Sequence, residues 1–145
     1  MKSPSRVVPL VLIGLIAALT LTAAGGDKAA KVWAAEEIQW TENAAVKGFW
    51  IAPLWGDPSK GAYGALKKVA GGTELGWHTH THAQKVVAVS GTIGFTLEGE
   101  SAKDLTAGSY VYLPAKTKHH TVCKTGADCI FFEEQPGKTD VIPAK

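Results

Sequence analysis

The chain has 145 residues, which is the length of one domain. Its 15 lysine and arginine residues nearly balance 13 aspartate and glutamate residues, so the formal net charge at pH 7 is only +2. The basic stripe that a protein needs to neutralise nucleic-acid phosphates is absent from the sequence, and so is a polybasic patch for a membrane surface. We therefore expect no nucleic-acid partner.

The first 24 residues are typical of a signal peptide. Lys2 and Arg6 precede an apolar run over residues 7–24, and Thr22 and Ala24 supply the small side chains found at cleavage sites. An uncleaved membrane anchor is the alternative, because this run reaches the lower limit for a spanning helix. The small residues favour cleavage. A cleaved signal peptide predicts a periplasmic or extracellular protein without stable membrane insertion. The cleaved chain would carry 13 basic and 13 acidic residues.

After the leader, residues 25–44 form an alanine- and charge-rich arm, for which a short helix and a mobile segment are both open. The chain then alternates between short runs of β-branched and aromatic residues and glycine-rich turns. In this part of the sequence, no stretch with helical periodicity is long enough to predict a helix. The pattern predicts an all-β antiparallel barrel or sandwich, with strands at 49–55, 63–70, 77–81, 84–89, 92–97, 109–113, 119–123 and 129–132.

The two cysteines, Cys123 and Cys129, flank the segment KTGAD. In an oxidising compartment they could form a disulfide across a hairpin. Two reduced thiols are the alternative, because the sequence does not give the Cα separation that a disulfide requires.

The five histidines form two clusters: His78, His80 and His82 alternate with threonines, whereas His119 and His120 are adjacent. Because side chains alternate between the faces of a strand, the first two point the same way and could share a metal ion. The third imidazole would come from a neighbouring strand. A solvent-facing strand is the alternative. His120 has the opposite parity to His119 and is expected to point away from the interior.

These positions resemble the two sequence motifs of the cupin family. The first motif contains a glycine, two histidines one residue apart, a glutamate and a glycine, which correspond here to Gly72, His78, His80, Gln84 and Gly91. The second contains a glycine, a proline, a glycine, a histidine and an asparagine, which correspond to Gly108, Pro114, Lys116, His119 and Cys123. The sequence departs from the family where glutamine replaces the glutamate, lysine the second glycine and cysteine the asparagine.

The resemblance implies a single cupin domain over residues 45–137, an all-β jelly-roll barrel, followed by a C-terminal tail at 138–145. By analogy with the family, a homodimer is also expected.

The resemblance further implies one divalent transition metal ion: zinc, iron, manganese, copper or nickel. His78, His80 and His119 would bind it, with Gln84 as a fourth ligand or as a hydrogen-bond partner of the ligands. An amide does not offset the charge of the metal as a carboxylate would, so the open position would favour an anionic ligand.

Other residues are candidates for the surroundings of this site. His82 could be an alternate ligand, a proton shuttle, a residue at the mouth or simply a surface residue. Tyr110 and Tyr112 alternate along one strand, so one set of positions should face the interior, and Tyr112 is a candidate pocket residue. Glu133 and Glu134 are interpreted as a solvated strand end rather than a catalytic pair.

Two functions agree with these observations. One is an exported metalloenzyme with oxygenase- or isomerase-type chemistry on a small organic molecule. The other is a non-catalytic, metal-dependent cupin that binds or senses such a molecule, which the missing glutamate and the lack of an evident base favour. A third interpretation is a metal-free structural barrel.

Overall fold

The computed structural model describes residues 29–145, so the predicted signal peptide lies outside the described part of the chain. Within this range a short 3-10 helix, Ala35–Glu37, precedes the strands, and no α-helix is present. Among these residues, therefore, no helix has the length and apolar character needed to cross a membrane. The strands are β1 (Thr41–Glu42), β2 (Phe49–Gly56), β3 (Tyr63–Val69), β4 (Glu74–Thr79), β5 (Gln84–Ser90), β6 (Ile93–Leu97), β7 (Lys103–Leu105), β8 (Tyr110–Leu113), β9 (His119–Cys123), β10 (Cys129–Gln135) and β11 (Ile142–Pro143).

The strands form two antiparallel sheets. One has six strands in the order β1-β2-β3-β10-β5-β8, and the other has five in the order β11-β4-β9-β6-β7. The chain passes from one sheet to the other after β3, β4, β5, β7, β8, β9 and β10, which is the alternation of a jelly roll. The predicted all-β jelly-roll fold is confirmed, as two sheets that are not joined into a closed barrel.

The eight predicted strands are all present, with bounds that shift by a few residues. The largest shifts are at the start of β4, which begins at Glu74, and at the end of β10, which extends to Gln135. Three strands, β1, β7 and β11, were not predicted, and each has only two or three residues. A period of two residues is not recognisable over so short a segment.

The apolar core is built from alternate residues of the long strands. Along β10 the odd-numbered residues are buried, whereas Ile130, Phe132 and Glu134 are only half-buried. Because the period of a strand is two, this places one set of side chains against the facing sheet. The buried core cluster consists of Val69, Ala88, Ile93, Cys123, Cys129 and Phe131.

A disulfide joins Cys123 to Cys129, with a Cα–Cα distance of 5.7 Å. Cys123 ends β9 in the five-stranded sheet, and Cys129 begins β10 in the six-stranded sheet. The bridge predicted as one of two alternatives is therefore present, and it connects the two sheets at one end of the core.

The C-terminal segment beyond residue 137 is part of the five-stranded sheet. Through β11, Ile142 pairs with Thr79 and Pro143 pairs with His78. The amide of Ala144 also donates a hydrogen bond to the carbonyl of Trp77 at 2.9 Å. The tail expected at residues 138–145 thus pairs directly with the strand that carries the first histidine motif.

Several motif positions require a left-handed backbone. Gly72, Gly91 and Gly108 have φ values of 85°, 76° and 88°, which explains why the motif has glycine there. Lys116, at the position where the family motif has a glycine, also adopts a positive φ, 64°, and is the one non-glycine residue of the described chain to do so. A side chain in this conformation carries a steric cost of about 1 kcal/mol.

Candidate metal centre

Three buried histidines converge between the sheets. His78 on β4 and His119 on β9 are direct cross-strand neighbours, and His80 follows immediately after β4. Their exposed fractions are only 4%, 2% and 5%, respectively. The potential ligand atoms of the three imidazoles all lie within 4.8 Å of one another. The structure therefore brings together the three histidines that the motif spacing singles out.

Each of these imidazoles has its Nδ1 atom occupied by a main-chain carbonyl. Nδ1 of His78 contacts the carbonyl of Gly76 at 2.9 Å, and Nδ1 of His119 contacts that of Thr117 at 3.0 Å. Nδ1 of His80 contacts the carbonyl of Asp140 at 2.5 Å. A carbonyl oxygen can only accept, so Nδ1 carries the proton in all three rings and the lone pair remains on Nε2. This is how metal-binding histidines are commonly oriented by their surroundings.

The three rings are held in their neutral form. Burial, together with a smaller effect of the neighbouring His78 and His80, lowers the pKa of His119 to about 4. Burial likewise lowers the pKa of His78 and of His80 below the ordinary value. Neutral imidazole is the form that binds metals, and three such nitrogens suit a transition metal better than magnesium or calcium. The donor set therefore fits the group that the fold family implies.

Gln84 lies at the start of β5, opposite Leu113 of β8, and lines the same cavity as the three histidines. It is only 3% exposed, yet its amide nitrogen has no hydrogen-bond partner among the described residues. A buried amide without a partner costs free energy, so this group is set up to contact something bound in the cavity. The structure thus places Gln84 at the site.

The cavity at this centre has a volume of about 70 Å³. That is several times the space required by one water molecule, and it suits a small organic molecule rather than a polymer. Most of its wall is apolar, and this part is formed by Phe49, Leu75, Val86, Ile93, Phe95, Leu105, Val111, Leu113, Phe131 and Val141.

A buried ion pair, Lys67 with Glu133, forms another part of the cavity wall. Oε1 of Glu133 accepts hydrogen bonds from the Lys67 ammonium group, from the Tyr63 hydroxyl at 2.5 Å and from the Gln135 amide at 2.8 Å. The interpretation of Glu133 as a solvated strand end is therefore wrong: it is 3% exposed. It has the same parity along β10 as the core residue Phe131, and that alternation was the signal that could have found it.

The network around Glu133 keeps its carboxylate charged. Burial alone would raise its pKa, but the charge of Lys67 and the donated hydrogen bonds hold the pKa below its ordinary value. Burial, together with the charge of Glu133, raises the pKa of Tyr63, which stays a neutral donor. The cavity therefore contains a fixed charge pair in addition to its neutral histidines.

Two other candidate site residues, Tyr112 and His82, do not line this cavity. Tyr112 is 58% exposed on the outer face of the six-stranded sheet, because Val111 and Leu113 occupy the inward positions of β8. One set of alternating side chains of this strand does face the interior, but it contains Val111 and Leu113, and Tyr110 is 59% exposed as well. His82 is half-buried against Gly137 and does not line the cavity.

His120 lies on the face of β9 opposite to His119, as its parity predicts. Its Nε2 atom lies 2.5 Å from Oε1 of Glu74, and its ring packs against that of Trp77 at 5.5 Å between centroids. It is not part of the cavity wall.

Comparison with known proteins identifies the family. The profile of the ChrR cupin-like domain matches residues 28–137, about three quarters of the chain. No curated protein sequence matches the chain significantly.

Solved structures share the fold. The polyketide cyclase RemF from Streptomyces resistomycificus is 15% identical with a TM-score of 0.67, and the alignment covers 81% of this chain and 87% of that one. An RmlC-like cupin from Ralstonia eutropha JMP134 is 26% identical with a TM-score of 0.60, over 74% of this chain and 68% of that one. The DMSP lyase DddQ from Ruegeria pomeroyi DSS-3 is 17% identical with a TM-score of 0.61, over 74% and 61%. Together with the motif spacing and the three-histidine centre, these matches show that the chain belongs to the ChrR cupin-like family of the cupin superfamily.

Proposed function

We propose that this chain is an exported, metal-dependent cupin that uses a three-histidine centre to act on a small organic molecule. The observation that carries the proposal is the orientation of His78, His80 and His119. Each ring is buried and neutral, and each donates its Nδ1 proton to a carbonyl, so three Nε2 lone pairs are available beside one cavity. The signal-like leader supports export.

The chemistry of the site agrees with a small metalloenzyme. A divalent transition metal in this centre would act as a Lewis acid toward an oxygen atom of the substrate. Most of the cavity wall is apolar, and the Lys67–Glu133 pair provides a charged, hydrogen-bonding surface within it. The cyclase and the lyase among the proteins of the same fold support an enzymatic role. Oxygenase- and isomerase-type reactions are the classes that we propose.

One observation favours a second function, namely binding or sensing without turnover. The carboxylate of Glu133 is tied to three donors and held ionised, so it is a weak base. The position where the family motif has glutamate holds the neutral Gln84. A centre of this kind could capture a small anion without transforming it.

Metal analysis of the full chain tests the centre. The protein is expressed with its leader, purified from the exported fraction and analysed for bound metals. We expect about one transition metal ion per chain, lost in His78→Ala and His119→Ala. His120→Ala is the matched control, because His120 lies on the same strand as His119 but on the outer face of the sheet. Unchanged metal content in the first two variants would overturn the proposal.

Turnover separates the enzyme from the binder. Iron or manganese with substrate-dependent oxygen uptake would support an oxygenase, and conversion of a screened compound without oxygen would support an isomerase. Stoichiometric metal without any conversion would support the binding protein. Recovery of the protein with residues 1–24 still attached would contradict the cleavage step of export.

A further inference from the structure

The cavity has polar groups on two walls that come from different sheets. His78 and His119 belong to the five-stranded sheet, on β4 and β9. Lys67 and Glu133 belong to the six-stranded sheet, on neighbouring strands β3 and β10, and line the same cavity. A molecule bound next to the histidines therefore has a second set of polar groups within the same small space.

The ion pair has hydrogen-bonding capacity left over. All three hydrogen bonds to Glu133 go to Oε1, and Oε2 takes part in none of them. The Lys67 ammonium group has three N–H donors, of which one is used by Oε1. Nζ of Lys67 also lies over the aromatic rings of Phe49 and Tyr63, 5.8 Å from each ring centroid. The pair thus offers an unused acceptor and unused donors beside the cavity.

Stability does not explain why this pair is present. Burying two charges costs several kcal/mol per ion, and replacing a buried ion pair with apolar residues of the same volume is often neutral or stabilising. The rest of the cavity wall is mainly apolar, so such a replacement would have been compatible with the surroundings. A pair retained at a cavity wall, with spare donors and a spare acceptor, is better explained by ligand recognition.

Gln84 provides a separate observation that points to a ligand. Its amide nitrogen is buried without an acceptor among the described residues, in the wall of the same cavity. An anionic oxygen bound next to the three neutral histidines would give this N–H its acceptor. A carboxylate supplies two such oxygens, so one can contact the histidine centre and the other can contact Gln84.

We propose that Lys67 and Glu133 recognise a hydroxyl group, and that the ligand of this cavity is a small hydroxylated carboxylate. A hydroxyl both donates and accepts, which matches the spare Glu133 Oε2 and the spare Lys67 N–H groups. The carboxylate end lies toward the histidines and Gln84. This inference rests on the proposed function, because the histidine centre must hold a metal ion to attract the carboxylate.

The test compares two probes that differ only in the hydroxyl, 3-hydroxybutanoate and butanoate. Their affinities for the zinc-loaded full chain are measured by titration calorimetry, with zinc content determined for each sample. A hydrogen bond to a charged group contributes enough for roughly a tenfold preference, so we expect 3-hydroxybutanoate to bind at least about ten times more tightly. The double variant Lys67→Met/Glu133→Gln is expected to lose this preference while keeping its zinc.

The matched control is Lys85→Met/Glu134→Gln, which removes an exposed ion pair of 2.9 Å between the neighbouring strands β5 and β10. It should retain the preference. Equal affinities of the two probes for the zinc-loaded wild-type chain would overturn the inference, whether or not the double variant folds. A preference that survives in a folded double variant would also overturn it. A wild-type chain that binds neither zinc nor any other transition metal ion would instead refute the proposed function.

Discussion

The carbonyl oxygen of Asp140 accepts a hydrogen bond from Nδ1 of His80 at 2.5 Å. Asp140 lies 60 residues later in the chain, beyond the residues 28–137 that match the family profile. Its carboxylate also accepts a hydrogen bond from the amide of Thr81 at 3.0 Å. The C-terminal segment therefore fixes the ring orientation of one of the three candidate ligands, and Val141 beside it lines the cavity.

Deletion of residues 138–145 should weaken metal binding. His80 would lose the acceptor that holds its ring, and loss of such an outer hydrogen bond typically lowers metal affinity by about 10–100-fold. Zinc affinity measured by competition with a chelator checks this. Deletion of Lys145 alone is the control, because it leaves Asp140 and the β11 pairing in place. Equal zinc affinity of the truncated and full chains would show that the segment does not position His80.

The C-terminal contact shows which part of the site could be predicted from the sequence and which part could not. His78, His80 and His119 were predicted from motif spacing, because a period of two residues determines which side chains share a face. The hydrogen-bond partner of His80 was not predicted, because every residue has a main-chain carbonyl and no residue type indicates which one will accept the bond. Glu133 was missed for a different reason. A charged residue near the end of an apolar strand is usually solvated, and only the three-dimensional pairing with Lys67 makes its burial favourable.

Removing the disulfide should destabilise the domain without emptying the metal centre. Cys123→Ala/Cys129→Ala removes a crosslink that closes a short loop, and the chain-entropy estimate for such a loop is about 2 kcal/mol. The free energy of unfolding, measured with urea on the metal-free protein, checks this value. Zinc stoichiometry should remain that of the wild-type chain, because the sulfur atoms are not among the cavity-lining groups. Loss of zinc in a folded double variant would contradict this separation.

Lys116→Gly should stabilise the turn of the second motif that is hydrogen-bonded to His80. Lys116 has a φ of 64°, and its amide donates to the carbonyl of His80 at 2.8 Å. Glycine removes the steric cost of this conformation, which outweighs its greater freedom in the unfolded chain, and we expect a gain of up to about 1 kcal/mol. Lys103→Gly, in the exposed strand β7, should instead destabilise the protein by roughly 0.5–1 kcal/mol. Thermal unfolding of both variants measures the contrast, and a loss of stability in Lys116→Gly would refute the explanation.

The metal-free protein should lose stability between pH 6.5 and 4. Burial lowers the pKa of His119 from 6.5 to about 4, so in this window the unfolded chain binds a proton that the folded chain does not. This contribution is fully present above pH 6.5 and disappears as the pH falls to 4. We expect a decrease on the order of 2 kcal/mol from His119. The pKa values of Glu133 and Asp140 are lowered, and these carboxylates affect stability mainly below this window.

Urea unfolding at pH 7.0 and 4.5 measures the decrease, and His119→Gln is the comparison because it lacks the titrating ring. The variant should show a smaller loss of stability between the two pH values. Zinc should protect the wild-type chain at pH 7 and less at pH 4.5, since protons compete with the metal for the imidazoles. A wild-type stability that does not change over this range would contradict the assignment of neutral, buried rings.

Gln84→Glu should make the stability of the domain depend on metal. In the metal-free protein the new carboxylate would be buried beside neutral histidines, in a position that is 3% exposed and where the amide nitrogen of glutamine lacks a partner. Such a burial costs a few kcal/mol or forces the group to take up a proton. In the metal-bound protein the carboxylate offsets one charge of the ion, so zinc affinity should rise roughly tenfold or more. Melting temperatures with and without zinc, together with chelator competition, measure both effects.

Gln84→Leu distinguishes a ligand from a neighbouring hydrogen-bond donor. Because it removes a buried amide that has no acceptor among the described residues, the metal-free protein should be as stable as the wild type or more stable by about 1 kcal/mol. Zinc affinity should remain within a few-fold of the wild-type value if three histidines suffice. If Gln84→Leu instead loses zinc as completely as His78→Ala, the glutamine is itself an essential ligand. The centre would then have four protein ligands and less room for a carboxylate, which would count against both the small-molecule function and the hydroxycarboxylate inference.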